Sequence, residues 1–184
     1  MTSFAGRSKL GLVRSAALIS VAEYLRTAYS PDCDYVDGEV QERNLGERDH
    51  SKLQGEFLYY FRSRQKQWKV FVYPEQRVQV SPTRFRIPDV CVYVGEDPKE
   101  QIFRTPPFIC IEVLSPEDRT SRFQQRVDDY LKFGVQYVWV IDPVTRRAWA
   151  HTKDAVQEAK DGVLRTESPA FIVPLSEIFA ALDD

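Results

Sequence analysis

The spacing of apolar positions changes along the chain and marks out alternating helices and strands. Val21, Tyr24, Leu25 and Ala28 recur at helical spacing behind Ser20-Val-Ala-Glu23, a capping box, and the break at Ser30-Pro31 ends this first helix. Tyr35–Val40 alternates about Asp37-Gly38, a pair suited to the positive φ angles of a tight hairpin turn. Leu53, Phe57, Tyr60 and Phe61 follow a period of about 3.6 residues, which predicts a second helix from near Asp49 to Lys66. Trp68–Tyr73 and Arg77–Val80 alternate as strands. Arg86–Val94, Pro107–Leu114 and Tyr137–Ile141 are rich in β-branched and aromatic residues and read as central strands, with Arg147–Thr152 following the Asp142-Pro143 turn. Phe123, Val127, Tyr130 and Leu131 line a third helix from about Asp118 to Phe133, closed by Gly134. A strand near Phe171–Val173 and a short helix from Leu175 to Leu182, with Ser176 near its cap, complete the chain.

This order predicts an α/β fold, a mixed β-sheet flanked by helices. Residues 1–17 have mixed charge and no period and read as an N-terminal arm, and residues 18–184 read as one domain. At 184 residues with 43% hydrophobic content, the chain can bury a substantial core. The apolar runs are too short to span a bilayer, and the basic N-terminus has no apolar stretch of the kind a signal peptide needs. Cys33, Cys91 and Cys110 are odd in number and far apart, so they read as buried thiols of a cytoplasmic protein; with only His50 and His151 beside them, they offer no zinc pattern. A formal net charge of −2 excludes a uniformly basic surface, so any nucleic-acid site is a local patch.

The candidate chemistry lies in two acids. Asp89 follows Ile87-Pro88 and precedes Val90-Cys91-Val92, and Glu112 interrupts Ile109-Cys110-Ile111 and Val113-Leu114. A carboxylate within a buried strand is costly unless it is paired or binds a cation, and two on neighbouring strands repel each other. A hard divalent cation, Mg²⁺ or Mn²⁺, resolves both problems and can activate water and polarise a phosphoryl oxygen. The plainer alternative is an acid at a strand end, in solvent or in an ion pair. Arg119, Arg122 and Arg126, spaced i, i+3 and i+7 with Gln125 beside them, form one face of the third helix. They read as a phosphate-gripping ridge, or as a solvated face balanced by neighbouring acids. Ser115-Pro116-Glu117-Asp118 has capping-box form, so Ser115 reads as a helix start rather than a nucleophile.

Three blocks then combine: Arg86-Ile-Pro-Asp-Val-Cys-Val92, Ile111-Glu-Val-Leu-Ser-Pro116, and Tyr130-Leu-Lys-Phe-Gly-Val-Gln-Tyr-Val-Trp-Val-Ile-Asp-Pro143. With Val21–Leu25, Tyr35–Val40 and Pro174–Phe179, they resemble the Uma-type restriction endonuclease family of the PD-(D/E)XK nuclease superfamily over roughly residues 18 to 181. The resemblance implies a restriction-endonuclease-like core, a divalent metal and DNA as substrate. It assigns the motif acids to Asp89 and Glu112, adds Asp34 as an N-terminal acid, and places a histidine near the site, here His50. For Asp34 a structural role is equally open, a helix-start histidine such as His50 is more often a partly buried hydrogen-bonding residue than a ligand, and Asp37-Gly38 reads as turn geometry. The chain departs from the superfamily motif at Leu114, where a lysine is usual, and has Arg126 where the family offers a substitute lysine from the next helix. An arginine cannot serve as a base but can bind phosphate through two donors, and from the edge of its helix Arg126 is expected to reach Glu112 or Asp89. Three functions follow: a metal-dependent endonuclease, a nuclease-fold protein that binds nucleic acid without fast cleavage, or a protein-contact module. A homodimer would suit cutting both strands of a duplex.

Overall fold

The computed structural model of the protein describes residues 18–43, 46–116 and 120–183. The N-terminal arm and Arg119 lie outside them. Helix α1 (Val21–Arg26) is capped by Ser20, whose Oγ accepts from the Glu23 amide over 3.1 Å. It leads into the hairpin β1 (Cys33–Val36) and β2 (Glu39–Glu42), whose turn places Asp37 at φ +50 and Gly38 at φ +102. Helices α2 (Arg48–Ser63) and α3 (Gln65–Trp68) follow, so Trp68 ends a helix rather than opening a strand; Lys69 in the left-handed region makes the turn. Then come β3 (Val70–Pro74), β4 (Val78–Ser81), β5 (Arg84–Arg86), β6 (Val90–Val94), β7 (Ile109–Val113), α4 (Thr120–Phe133), β8 (Tyr137–Asp142) and β9 (Arg147–His151). The tail adds β10 (Val156–Glu158), β11 (Val163–Arg165), β12 (Ile172–Pro174), α5 (Leu175–Phe179) and a 3₁₀ turn, Ala180–Leu182. Helix α5 follows Pro174 without a side-chain cap, so Ser176 lies inside it.

The strands form a six-stranded mixed sheet, β10-β9-β8-β7-β6-β3, and a four-stranded antiparallel sheet, β2-β1-β5-β4, with β11 and β12 as a separate pair. Only β7 and β8 pair in parallel within the large sheet, and α4 is their crossover connection. The run read from sequence as one strand, Arg86–Val94, is two. Pro88 supplies no amide hydrogen to a ladder, and the chain leaves the small sheet after Arg86 and joins the large one at Val90.

Each face of the large sheet is covered. Leu53, Phe57 and Phe61 of α2 pack with Val90, Ile111, Trp139, Ile141 and Ile178 on one side. Val127 and Tyr130 of α4 pack with Cys91, Cys110, Val138 and Val140 on the other. Burying a side chain of this size stabilises the fold by roughly 1.5–3 kcal/mol, so the two cores fix α2 and α4 against the sheet. Tyr24, Tyr35 and Phe85 make a smaller aromatic core that seats α1 on the small sheet. Among the described residues no helix is long and apolar enough to cross a membrane.

Candidate active site

In the β6–β7 ladder Val90 stands opposite Ile111, and one further step of this antiparallel register sets Asp89 opposite Glu112. Alternation along the strands puts Glu112 on the face of Cys110, beneath α4, and the same parity carries Asp89 to that side. Both acids are buried, 3% exposed, and they line one small cleft with Arg43, His50, Ser115 and Arg126.

Asp89 is held from three elements. Its Oδ2 accepts from the Val113 amide over 2.8 Å and lies 3.1 Å from His50 Nε2. Its Oδ1 accepts from Arg43 Nη2 over 2.6 Å, and its carbonyl accepts from Gln54 Nε2 over 3.0 Å. His50 and Gln54 are one turn apart on α2, so a single helix face clamps the residue. Burial opposes charge on Asp89, but the His50 hydrogen bond and the Arg43 charge prevail and hold it below the ordinary carboxylate range. For His50 burial also opposes charging, and Asp89 overcomes it and raises the imidazole above its usual range.

Glu112 behaves in the opposite way. Its Oε1 accepts from the Tyr130 hydroxyl over 2.7 Å, and Arg126 Nε lies 3.5 Å from its Oε2. Arg126 and Tyr130 are again one turn apart, now on α4. Burial, resisted by Arg126 and reinforced by Asp89, pushes Glu112 up to about 7. The pair therefore divides into one firmly ionised acid and one that holds its proton near neutrality.

The other expected residues lie as follows. Asp34, expected beside a metal, is turned into the protein: its Oδ2 accepts from Arg86 Nη1 over 2.9 Å and its Oδ1 from the Ile87 amide over 3.1 Å. Gln125, expected on nucleic acid, directs Oε1 to Arg86 Nη2 over 3.3 Å. Arg122 is exposed on α4. Arg126 has the reach anticipated for it, whereas Arg43 and Gln54 were not foreseen. Arg43 follows the hairpin, where no periodicity singles it out, but Gln54 could have been found from its i, i+4 relation to His50.

Among the described residues no three of His, Cys, Asp and Glu converge as a metal cluster. Two buried carboxylates in a polar cleft nevertheless fit a hard divalent cation of the Mg²⁺ type, which takes oxygen ligands and keeps several waters when the protein provides only one or two carboxylates.

No curated protein matches the chain. Among solved structures it is similar to a crystal structure of a protein from Anabaena variabilis described as a "putative nuclease belonging to DUF820", with a TM-score of 0.78 and 22% identity over 89% of this chain and 99% of that one. That likeness establishes a shared mixed α/β fold. A family model, Uma2, described as "Putative restriction endonuclease", matches residues 21–176, which contain every residue of the cleft. The chain belongs to the Uma2 family of restriction-endonuclease-like proteins.

Proposed function

We propose that this protein is a divalent-cation-dependent endonuclease that cuts phosphodiester bonds in DNA. The observation that carries the reading is the buried pair Asp89 and Glu112, opposite one another at the ends of adjacent strands and open to a cleft lined by arginine. The family description supports a nuclease, and supports DNA as its substrate.

The acids would hold Mg²⁺ or Mn²⁺, and such an ion lowers the pKa of water and neutralises charge on a phosphoryl oxygen. The rest of the work falls to the chain. Arg126, already at the rim beside Glu112, offers a fixed positive charge to the scissile phosphate. Arg122, one turn before it and exposed, meets a flanking phosphate. His50 keeps Asp89 ionised and would pass a proton to a leaving oxygen. The apolar Leu114 has no part in this chemistry, so the task a motif lysine would share falls to Arg126.

The test is Mn²⁺ binding by calorimetry together with cleavage of supercoiled and linear DNA, for the parent, Asp89→Asn and Glu112→Gln. Cation-dependent cutting by the parent, lost by at least 10²-fold in both variants, is the expected result. Undiminished cutting by either variant, or by the parent in excess chelator, would overturn the reading. One observation favours a second reading, binding without fast cleavage: Arg43 already occupies Asp89 Oδ1. Tight DNA binding with no single-turnover cleavage at any cation concentration would establish it.

A further inference from the structure

Arg43 lies one residue past β2 of the small sheet, and its side chain reaches Asp89, one residue before β6 of the large one. It is 15% exposed. Nη2 lies 2.6 Å from Asp89 Oδ1, and Nη1 lies 3.6 Å from Glu75 Oε1. The second Asp89 oxygen is taken by the Val113 amide and His50, so Oδ1 is the oxygen left for a cation, and Arg43 sits on it. Glu75 is fixed beside the same acid, because its amide donates to the Asp89 carbonyl over 3.1 Å, while its carboxylate is 57% exposed.

A Mg²⁺-type ion binds oxygen at about 2.0–2.1 Å, and a guanidinium hydrogen-bonded to the same oxygen would stand within a few ångströms of its double charge. Like charges that close in a largely buried site repel each other strongly. The two cations therefore compete for Asp89.

We propose that Arg43 is a resident counter-cation that sets the divalent-cation affinity of the cleft: it neutralises Asp89 in the cation-free protein and moves onto Glu75 when a divalent ion loads. The proposal rests on the reading of Asp89 and Glu112 as a cation site. It makes the affinity of the parent the residue of a competition rather than the intrinsic strength of the two acids. Glu75 acts through Arg43, as the place to which the guanidinium retreats.

The test is Mn²⁺ binding to the full chain, read by calorimetry and by the electron paramagnetic resonance signal of free Mn²⁺, without reference to cleavage. Arg43→Gln is expected to bind Mn²⁺ at least tenfold more tightly than the parent, and Arg43→Lys to stay near it. Glu75→Gln is expected to weaken binding several-fold in the parent and much less in the Arg43→Gln background, a coupling that general loss of negative charge near the site would not produce. Binding by Arg43→Gln where the parent shows none also supports the proposal. If the parent binds Mn²⁺ and Arg43→Gln binds no more tightly, the proposal is overturned and the cation site stands. If neither binds, the cation site itself is overturned and the proposal with it. Should Arg43→Gln fail to fold, the exposed Glu75 decides: unchanged affinity in Glu75→Gln refutes the retreat of Arg43.

Discussion

Arg86 and Asp129 are joined through a single oxygen: Nε and Nη2 of the arginine donate to Asp129 Oδ2 over 2.8 and 2.7 Å. The guanidinium is fully buried, and it also reaches Asp34 of β1, so one side chain ties β5, β1 and α4 together. Asp129 accepts from Arg84 Nη1 over 2.7 Å as well. Gln125 and Asp129 face Arg86 while Arg126 and Tyr130, one position on, face Glu112. The buried network thus sets the rotation of α4 about its axis.

Arg86→Met should therefore cost stability and disorder the cleft together. Removing one partner of a buried ion pair leaves uncompensated charge, here on Asp34 and Asp129, and typically costs about 3–5 kcal/mol. Urea denaturation checks this; a loss under about 1 kcal/mol would mean that water or a rearranged Arg84 replaces the guanidinium.

Arg126→Ala should slow cleavage by on the order of 10²-fold, as loss of a charge partner of the transition state does. Arg126→Lys should keep activity or raise it, since the cation persists. Single-turnover rates at saturating Mn²⁺ read the effect directly. An alanine variant that cuts at the parent's rate would remove Arg126 from the chemistry.

Glu112 gives the cation-free protein a signed pH dependence. Its carboxyl is raised to about 7 from about 4.5, chiefly by burial, so across that window the folded chain keeps a proton that the unfolded chain has released. The unfolding free energy should then fall as pH rises from about 4.5 to about 7 and level off above it. His50, also raised, loses its stabilising contribution as pH climbs through its own titration; the Asp89 part of that shift is common to parent and variant, and only the smaller Glu112 part is lost in the variant. Glu112→Gln has no such proton to release and should gain on the parent between pH 5 and pH 8. Urea midpoints at the two values, in chelator, test this; a constant difference between the proteins would contradict it.

DNA affinity should fall steeply with added salt, because arginine contacts to phosphate release counterions. Arg122→Ala should weaken binding on every sequence and reduce the slope of log affinity against log salt by about 1. An unchanged slope would make Arg122 ordinary surface.

The main elements and both motif acids were legible because apolar periodicity and turn chemistry act locally. Ser20 capped α1 and Asp37-Gly38 turned the hairpin as their neighbours demanded. Arg86–Val94 misled because the chain stays extended through Pro88, and extended backbone does not announce which sheet it joins. The short strands β10 and β11 carry too few apolar positions for a pattern. Within the cleft, Asp89, Glu112 and Arg126 could be placed from strand and helix spacing. Arg43 could not, since its meeting with Asp89 is a contact between two sheets, separated by 46 positions in the chain. Asp34 shows the converse: an acid in a recognisable block whose buried partner, Arg86, is visible only in three dimensions.

The three residues Ile87-Pro88-Asp89 are the covalent joint between the sheets, and the acid at the end of that joint is gripped from both directions, by Arg43 of the small sheet and by the Val113 amide of the large one. The cleft is therefore complete only when both sheets are docked. A nascent or partly melted chain, with either sheet undocked, has the acids but not their alignment.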